Sequence, residues 1–373
     1  MAAHSILPRA RLNAEAQSDK TRTAMSIFLK ALAMLGAFSA LMQAAGAAGI
    51  VGVRQVSAHS GERRADLEVT VWYPALPGGT PVVLGESVFF AGTPAMGGAP
   101  IAGGRFPLVL LSHGAGLGGS PAAMSWMAAG LASRGFVVAA PTHPGNGGAH
   151  RSAEETMKLW LRPRDIGATL DAMIGAPDFK DHLDAGKVGV LGLSMGGSTA
   201  LALSGGRIDP DRLAGYCDDA ARNPSLCEWV RLSGLDLHAL DMREAGRDNR
   251  DRRLGFAMAI DPAPVDVFAA DSFAGVSVPV EIVNLGPPDK IPQTAKAGGI
   301  AAAMPHGRYL NVEDASHFSL FGLCKPGAAE MAEQEKIGDP ICRDGGGRSR
   351  QDIHAQLVGL AAAAFARELG VGR

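Results

Sequence analysis

A serine framed by glycines is the first group in this sequence that could do chemistry: Gly192-Leu193-Ser194-Met195-Gly196. The G-x-S-x-G spacing suits a sharp turn between a strand and a helix, which thrusts the hydroxyl outward while the glycines let neighbouring backbone pass. A chain with 49 glycines produces this spacing by chance, so the pentapeptide alone decides little. Its surroundings decide more. An apolar run from Val188 to Leu191 reads as a buried strand, and Gly197-Ser198-Thr199-Ala200 opens a helix of small residues. A serine hydroxyl is a weak nucleophile at neutral pH and needs a base, usually histidine, oriented by a carboxylate.

Downstream of Ser194 stand His238, His306, His317 and His354. His317, in Asp314-Ala315-Ser316-His317-Phe318, follows the last expected strand and would emerge at the same sheet edge as Ser194. His306 precedes that strand and would emerge at the opposite edge, and His354 falls inside a helix. Two carboxylates end strands between serine and histidine. Asp289 in Gly286-Pro287-Pro288-Asp289 is the favoured acid, and Asp261 in Ile260-Asp261-Pro262 is the alternative. Asp314 is too close to His317 in sequence to orient it. An oxyanion would be held by two backbone N–H groups, those of Met195 and Ala115. His113 is expected to hold the Ala115 loop through side-chain hydrogen bonds. His143 and His150 are expected to be exposed or to line a substrate cleft.

Positioning these groups requires a sheet. Glu68–Tyr73 alternates like a strand, and Phe106–Ser112 is a continuous apolar run, as a buried parallel strand should be. A helix over 121–133, a strand over 135–140, a helix over 163–174 and the serine strand follow. A further strand is expected at Val82–Val83 or Val88–Phe90. After a break, strands are expected over 254–260, 278–285 and 308–312, with helices near 294–304 and 351–369. This alternation means an α/β fold with a mostly parallel central sheet flanked by helices. Residues 205–253 break the rhythm and read as a helical insertion, either a cap near the site or a surface decoration. Gly114-Ala115-Gly116-Leu117-Gly118-Gly119 also matches a dinucleotide-binding spacing. The strand that should then end in a ribose-binding carboxylate ends instead in Ala140-Pro141-Thr142-His143, which argues against it.

Composition bounds the rest. At 47% apolar the chain can bury a large core, and a net charge near −2 offers no polybasic surface for nucleic acid or membrane. Met25 opens a basic flank, an apolar run over 31–42 and an Ala-rich stretch ending near Ala48. That is the pattern of a secretory leader, and the apolar run is short of the ~20 residues of a spanning helix. Residues 1–48 are therefore expected to be an upstream segment plus signal peptide, and 49–373 the folded domain. Export favours disulfides. Of the three pairings open to four cysteines, Cys217–Cys227 with Cys324–Cys342 needs the least topology.

Val71-Trp72-Tyr73-Pro74, Phe106 to Gly114, Gly135 to Gly145, Arg162-Pro163-Arg164-Asp165, Gly192 to Gly197 and Ala315 to Phe318 together resemble one family. It is the exported bacterial predicted dienelactone hydrolase group of the α/β-hydrolase superfamily. The platelet-activating-factor acetylhydrolases and bacterial polyesterases are more distantly similar. The resemblance implies Ser194 as nucleophile, His317 as base and the Ala115 and Met195 N–H groups as oxyanion hole. Dienelactone hydrolases use a cysteine nucleophile, so that activity does not carry over. The acetylhydrolases place the acid one strand earlier, which points to Asp261. The expectation is a periplasmic or secreted serine esterase acting on a small-molecule ester, with no cofactor or metal and no stable membrane anchor. The rival readings are an amide or peptide hydrolase and a non-catalytic binding protein.

Overall fold

In the computed structural model, residues 49–371 are described, apart from the side chain of Ala149. The expected leader, residues 1–48, lies outside them. Ten strands form one sheet: β1 Val51–Ser60, β2 Ala65–Pro74, β3 Thr80–Leu84, β4 Thr93–Gly97, β5 Phe106–Ser112, β6 Val137–Pro141, β7 Leu183–Leu193, β8 Phe256–Ile260, β9 Val280–Leu285 and β10 Gly307–Val312. Their order across the sheet is β10-β9-β8-β7-β5-β6-β2-β1-β4-β3. The six strands from β10 to β6 run parallel, and β2 pairs antiparallel with β6.

The apolar runs make this sheet because both its faces are covered. In β5, Leu108 and Leu110 point into one core while Val109 and Leu111 point into the other. The first core is closed by α3 (Arg162–Gly175), α4 (Met195–Ser204) and α7 (Gly298–Ala303), through residues such as Ile166, Leu170, Leu201 and Ala301. The second is closed by α1 (Ser125–Ala132) and α9 (Arg350–Glu368), through Met127, Leu131, Leu357 and Phe365. Each fully buried Leu or Phe here contributes about 1.5–3 kcal/mol of transfer free energy. The result is a three-layer α/β arrangement whose strand ends converge on one rim.

Several elements differ from expectation. The helix expected over 121–133 begins as a 3₁₀ turn at Ala122–Met124 before α1; of the two places offered for a further strand, Val82–Val83 lies in β3 and Val88–Phe90 is a loop. Strands β1 and β4 and the short helices α2 (Ala153–Met157) and α8 (Ala328–Gln334) carry weak apolar periodicity and were not foreseen. The 205–253 stretch holds two helices, α5 (Pro210–Ala214) and α6 (Pro224–Leu232), with loops between. Cys217 bonds Cys227 and Cys324 bonds Cys342. Each bridge closes a loop-rich stretch whose unfolded-state entropy it removes, for about 3 kcal/mol at loops of this order. No helix among the described residues is long and apolar enough to cross a membrane.

Candidate active site

Ser194 sits between β7 and α4 with φ 55° and ψ −123°, a conformation costly for a residue with a Cβ. The strain is held from three directions. Ser194 N–H donates to Ile260 O at 3.0 Å, Ala263 N–H donates to Ser194 O at 3.1 Å, and Gly197 N–H donates to the same oxygen at 2.8 Å. The flanking glycines are obligatory for steric reasons. A Cβ on Gly192 would stand 1.9 Å from Gly196 O, and one on Gly196 would stand 1.8 Å from Ser112 O. Backbone, not a movable side chain, fills both places.

The Ser194 hydroxyl lies 3.0 Å from His317 Nε2. His317 opens a 3₁₀ turn, His317–Leu320, just past β10, and its Nδ1 lies 2.6 Å from Asp261 Oδ2. A carboxylate only accepts, so Nδ1 carries the proton and Nε2 presents a lone pair to the serine hydroxyl. Burial favours neutral imidazole, but the hydrogen bond and charge of Asp261 outweigh it and hold the His317 pKa above its ordinary value. The ring is one-third exposed, the Asp261 side chain almost wholly buried.

Asp261, at the carboxyl end of β8, is therefore the acid that meets His317. The favoured Asp289 is not brought to the site. Beyond β9 and Gly286, a turn closed by Lys290 N–H to Pro287 O carries it into solvent, where it faces Lys290 at 3.5 Å. Asp261 is in turn fixed by a residue that sequence reasoning missed. Asn284, fully buried on β9, donates from Nδ2 to Asp261 Oδ1 at 2.8 Å and to Ala295 O at 2.8 Å. Its own oxygen accepts from Ala297 N–H and Tyr309 O–H, so the amide has one possible orientation. Leu285 N–H adds a second donor to Asp261 Oδ1 at 2.9 Å. A buried Asn inside an apolar strand was the available signal.

The His317 turn is pinned from α9. His354 donates from Nε2 to Ser319 O at 2.8 Å while stacking on Trp126, whose indole N–H donates to Leu320 O. Ser319 donates to Asp344, and Arg350 pairs with Asp344 at 3.0 Å. His306 is exposed before β10, away from the serine.

On the other side of Ser194 lies the loop His113-Gly114-Ala115. A Cβ on Gly114 would stand 3.4 Å from Ser194 Cβ, so the loop abuts Ser194. The Ala115 N–H has no acceptor among the described residues, and Met195 N–H is one of the donors left open in the first turn of α4. The loop is not a phosphate cradle. Gly116 N–H donates to Asn146 O, and a Cβ on Gly119 would stand 1.9 Å from that oxygen, so the chain fills its own concavity.

His143 is neither exposed nor in a cleft. It is buried, receiving a hydrogen bond from Ser112 Oγ at 3.0 Å and donating from Nδ1 to Asp165 Oδ2 at 2.9 Å. This is a second Ser–His–Asp set, but Ser112 is fully buried and cannot meet a substrate. His150 is exposed. His113 accepts from His143 N–H at Nε2 and donates from Nδ1 to Gly114 O, holding the loop as expected of it. Burial, reinforced by neighbouring charges, pushes both imidazoles well below their ordinary pKa. Arg162, also buried, gathers the set: it donates to His113 O, to Asn146 Oδ1 at 2.6 Å and to Thr199 Oγ1 at 3.0 Å. Burial lowers its pKa to about 9, against the charge of Asp165, and it stays cationic at neutral pH. The Arg63 guanidinium clasps both oxygens of Asp165.

The insertion packs against several parts of the domain, and through Ser225 it holds Asp339, whose charge acts on His317. Its polar contacts reach Glu62, Trp160, Asp171, Thr294 and Asp339, and its Trp229 stacks under Arg151. Among the described residues none of these contacts is to Ser194, His317 or Asp261. A hollow of about 550 Å³ opens within residues 214–238, likewise without a triad residue.

A family model of the α/β hydrolase fold matches residues 107–226, the span from β5 to α6. A ferulic acid esterase from Streptomyces cinnamoneus superposes with a TM-score of 0.55 at 20% identity, covering 87% of this chain and 90% of that one. The fold is the α/β-hydrolase fold. A dienelactone hydrolase from Anabaena variabilis superposes with a TM-score of 0.45 at 16% identity, over 85% of this chain and 97% of that one. No curated protein sequence matches the chain. Within the α/β-hydrolase fold, Ser194 occupies the strand-to-helix turn after β7, and both its partners come from the carboxyl ends of later strands, β8 and β10.

Proposed function

We propose that this chain is an exported serine-dependent carboxylic-ester hydrolase. The observation that carries the reading is the continuous Ser194–His317–Asp261 relay, at 3.0 Å and 2.6 Å, with the serine half-buried on a strained turn. In this reading Ser194 Oγ bonds to the ester carbonyl carbon while its proton passes to His317 Nε2. The negative charge on the carbonyl oxygen is held by the Ala115 and Met195 N–H groups. The ester C–O bond then breaks, and the leaving alkoxide takes the proton from His317. Water, deprotonated by the same nitrogen, attacks the acyl-enzyme and releases the acid, returning the proton to Ser194. Asp261 stabilises the imidazolium formed in each half-reaction.

The fold is compatible with this chemistry without specifying a substrate. The two disulfides fit an oxidising compartment, which supports export to the periplasm or medium. The test is hydrolysis of p-nitrophenyl acetate by the wild type and Ser194→Ala. The expected loss is at least ~10³-fold in kcat, with covalent labelling of Ser194 by a fluorophosphonate. Equal rates at the buffer background would leave a non-catalytic binding protein as the surviving reading, and labelling elsewhere would overturn Ser194 as the nucleophile.

A further inference from the structure

We propose that the trough between Val88 and Leu117 is a subsite for an uncharged, apolar arm of the ester; this rests on the esterase reading and adds its substrate class. The trough, about 330 Å³, is lined by Val88, Phe89, Phe90, Leu117 and Phe321, with Ser87, Glu86 and Ser120 among its polar neighbours. Its volume is at the lower end of that of small-molecule sites.

Three observations join it to the reacting groups. First, its two walls continue the two loops that flank Ser194. Leu117 lies two residues beyond the oxyanion donor Ala115, and Phe321 closes the 3₁₀ turn that His317 opens. Second, a series of aromatic rings leads from the base to the largely buried Phe90 and Phe89 of the trough. Ring centroids are 6.2 Å apart from His317 to Phe318, 6.2 Å from Phe318 to Phe321, 5.6 Å from Phe321 to Phe90 and 6.2 Å from Phe90 to Phe89. Third, Val88 is 66% exposed and Leu117 41% exposed, so the apolar lip faces water where a ligand could cover it.

Backbone hydrogen bonds fasten the walls of the trough to each other. Ala91 N–H donates to Leu323 O at 2.8 Å and Lys325 N–H donates to Phe89 O at 2.9 Å, fastening the 86–91 loop to the segment after His317. The Cys324–Cys342 bridge anchors that segment. Such preorganisation spares the ordering cost of binding. The chemistry of the occupant follows from charge. Among the described residues Glu86 is the one ionisable group lining the trough, and Lys325 neutralises it at 2.8 Å. An acidic or basic arm gains no partner there, whereas an alkyl or aryl arm gains aromatic contact.

The experiment measures kcat/KM by pH-stat for two series sharing methyl acetate as origin. One lengthens the acid (methyl butanoate, hexanoate, octanoate), the other the alcohol (butyl, hexyl, octyl acetate). Full burial predicts a rise of about fourfold per methylene, equivalent to ~0.8 kcal/mol, in whichever series enters the trough. Val88→Asp and Leu117→Asp should each cut the ratio of longest ester to methyl acetate by at least tenfold. Leu232→Asp, an exposed leucine at the end of α6, should leave that ratio alone. Thermal unfolding midpoints check that the variants fold, and two independent sites keep the test alive if one does not. Flat series in the wild type, or ratios unchanged in both variants, overturn the subsite while Ser194-dependent hydrolysis still stands. Loss of Ser194 dependence itself overturns the esterase reading, and the subsite with it.

Discussion

Replacing Asp261 by Asn tests the relay at the atom where it is most tightly specified. Asp261 Oδ1 accepts two hydrogen bonds, from Asn284 Nδ2 and Leu285 N–H, while among the described residues Oδ2 accepts only from His317 Nδ1. An Asn side chain at this place must put its oxygen where the two donors are. Asn284 cannot turn over to accommodate the reverse, because Ala297 N–H and Ala295 O fix its own amide. The new NH₂ group therefore points at His317 Nδ1. Two donors cannot face each other, so the imidazole moves its proton to Nε2 and offers Nδ1 as acceptor. Nε2 then has no lone pair for the Ser194 proton.

The fold should survive this change, since both hydrogen bonds to Oδ1 are kept and only a charge-assisted bond is altered, for about 1–3 kcal/mol. Catalysis should not. A wrong-tautomer histidine in a serine triad costs about 10⁴-fold in kcat, or ~5.5 kcal/mol of transition-state stabilisation. Asp289→Asn, in solvent beside Lys290, should change kcat less than twofold. Steady-state hydrolysis of p-nitrophenyl acetate by the two variants, with unfolding midpoints as control, reads both. If Asp261→Asn retains more than a tenth of wild-type kcat, or Asp289→Asn falls as far, the tautomer argument is wrong.

The same bond sets a pH dependence: with the His317 pKa held above 6.5, kcat/KM should fall as pH drops through that raised value and the base is protonated. Removing the carboxylate leaves burial as the main influence, so the residual activity of Asp261→Asn should have its acid limb at lower pH; an unmoved limb contradicts the assignment. Arg162→Lys should fold but lose about 10–100-fold in kcat, because a point ammonium cannot reach His113 O, Asn146 and Thr199 together; unchanged kcat would show that the loop holds itself.

The central strands were legible because burial on both faces leaves an unbroken apolar run, as in Phe106–Ser112. Short strands away from the sheet's centre, such as Thr93–Gly97 between β1 and β3, were not, since half-exposed short strands lack that signature. The G-x-S-x-G spacing singled out Ser194 and the position after the last strand singled out His317, and the fold brings the two within 3.0 Å. The acid was harder for a geometrical reason. Asp261 and Asp289 both follow strands, and spacing does not reveal that Pro287 starts a turn leading away from the sheet whereas Asp261 is tied to Val283 O across to β9. His143 misled because a polar residue in a Thr-His-Pro-Gly loop looks exposed. Its partners, Ser112 and Asp165, lie 31 and 22 residues away, and only the fold joins them.

The two Ser–His–Asp sets explain each other. Both have serine hydroxyl to imidazole at 3.0 Å and a carboxylate on the far nitrogen. Geometry of the trio is thus not what separates a nucleophile from a structural hydroxyl. Ser112 points into a closed interior beside the Arg162 guanidinium, with no space for an acyl group. Ser194 stands on a strained turn at the rim with open N–H donors on both sides. The buried set has a different consequence. Its histidine backbone binds His113, and Arg162 binds the His113 carbonyl, so the peptide next to Gly114 is held from beneath. Donors that must meet an oxyanion without reorganising need this kind of rigid support. On the esterase reading proposed above, the inner trio belongs to the scaffold of the loop that would hold the oxyanion, and the outer one to the chemistry that loop would stabilise.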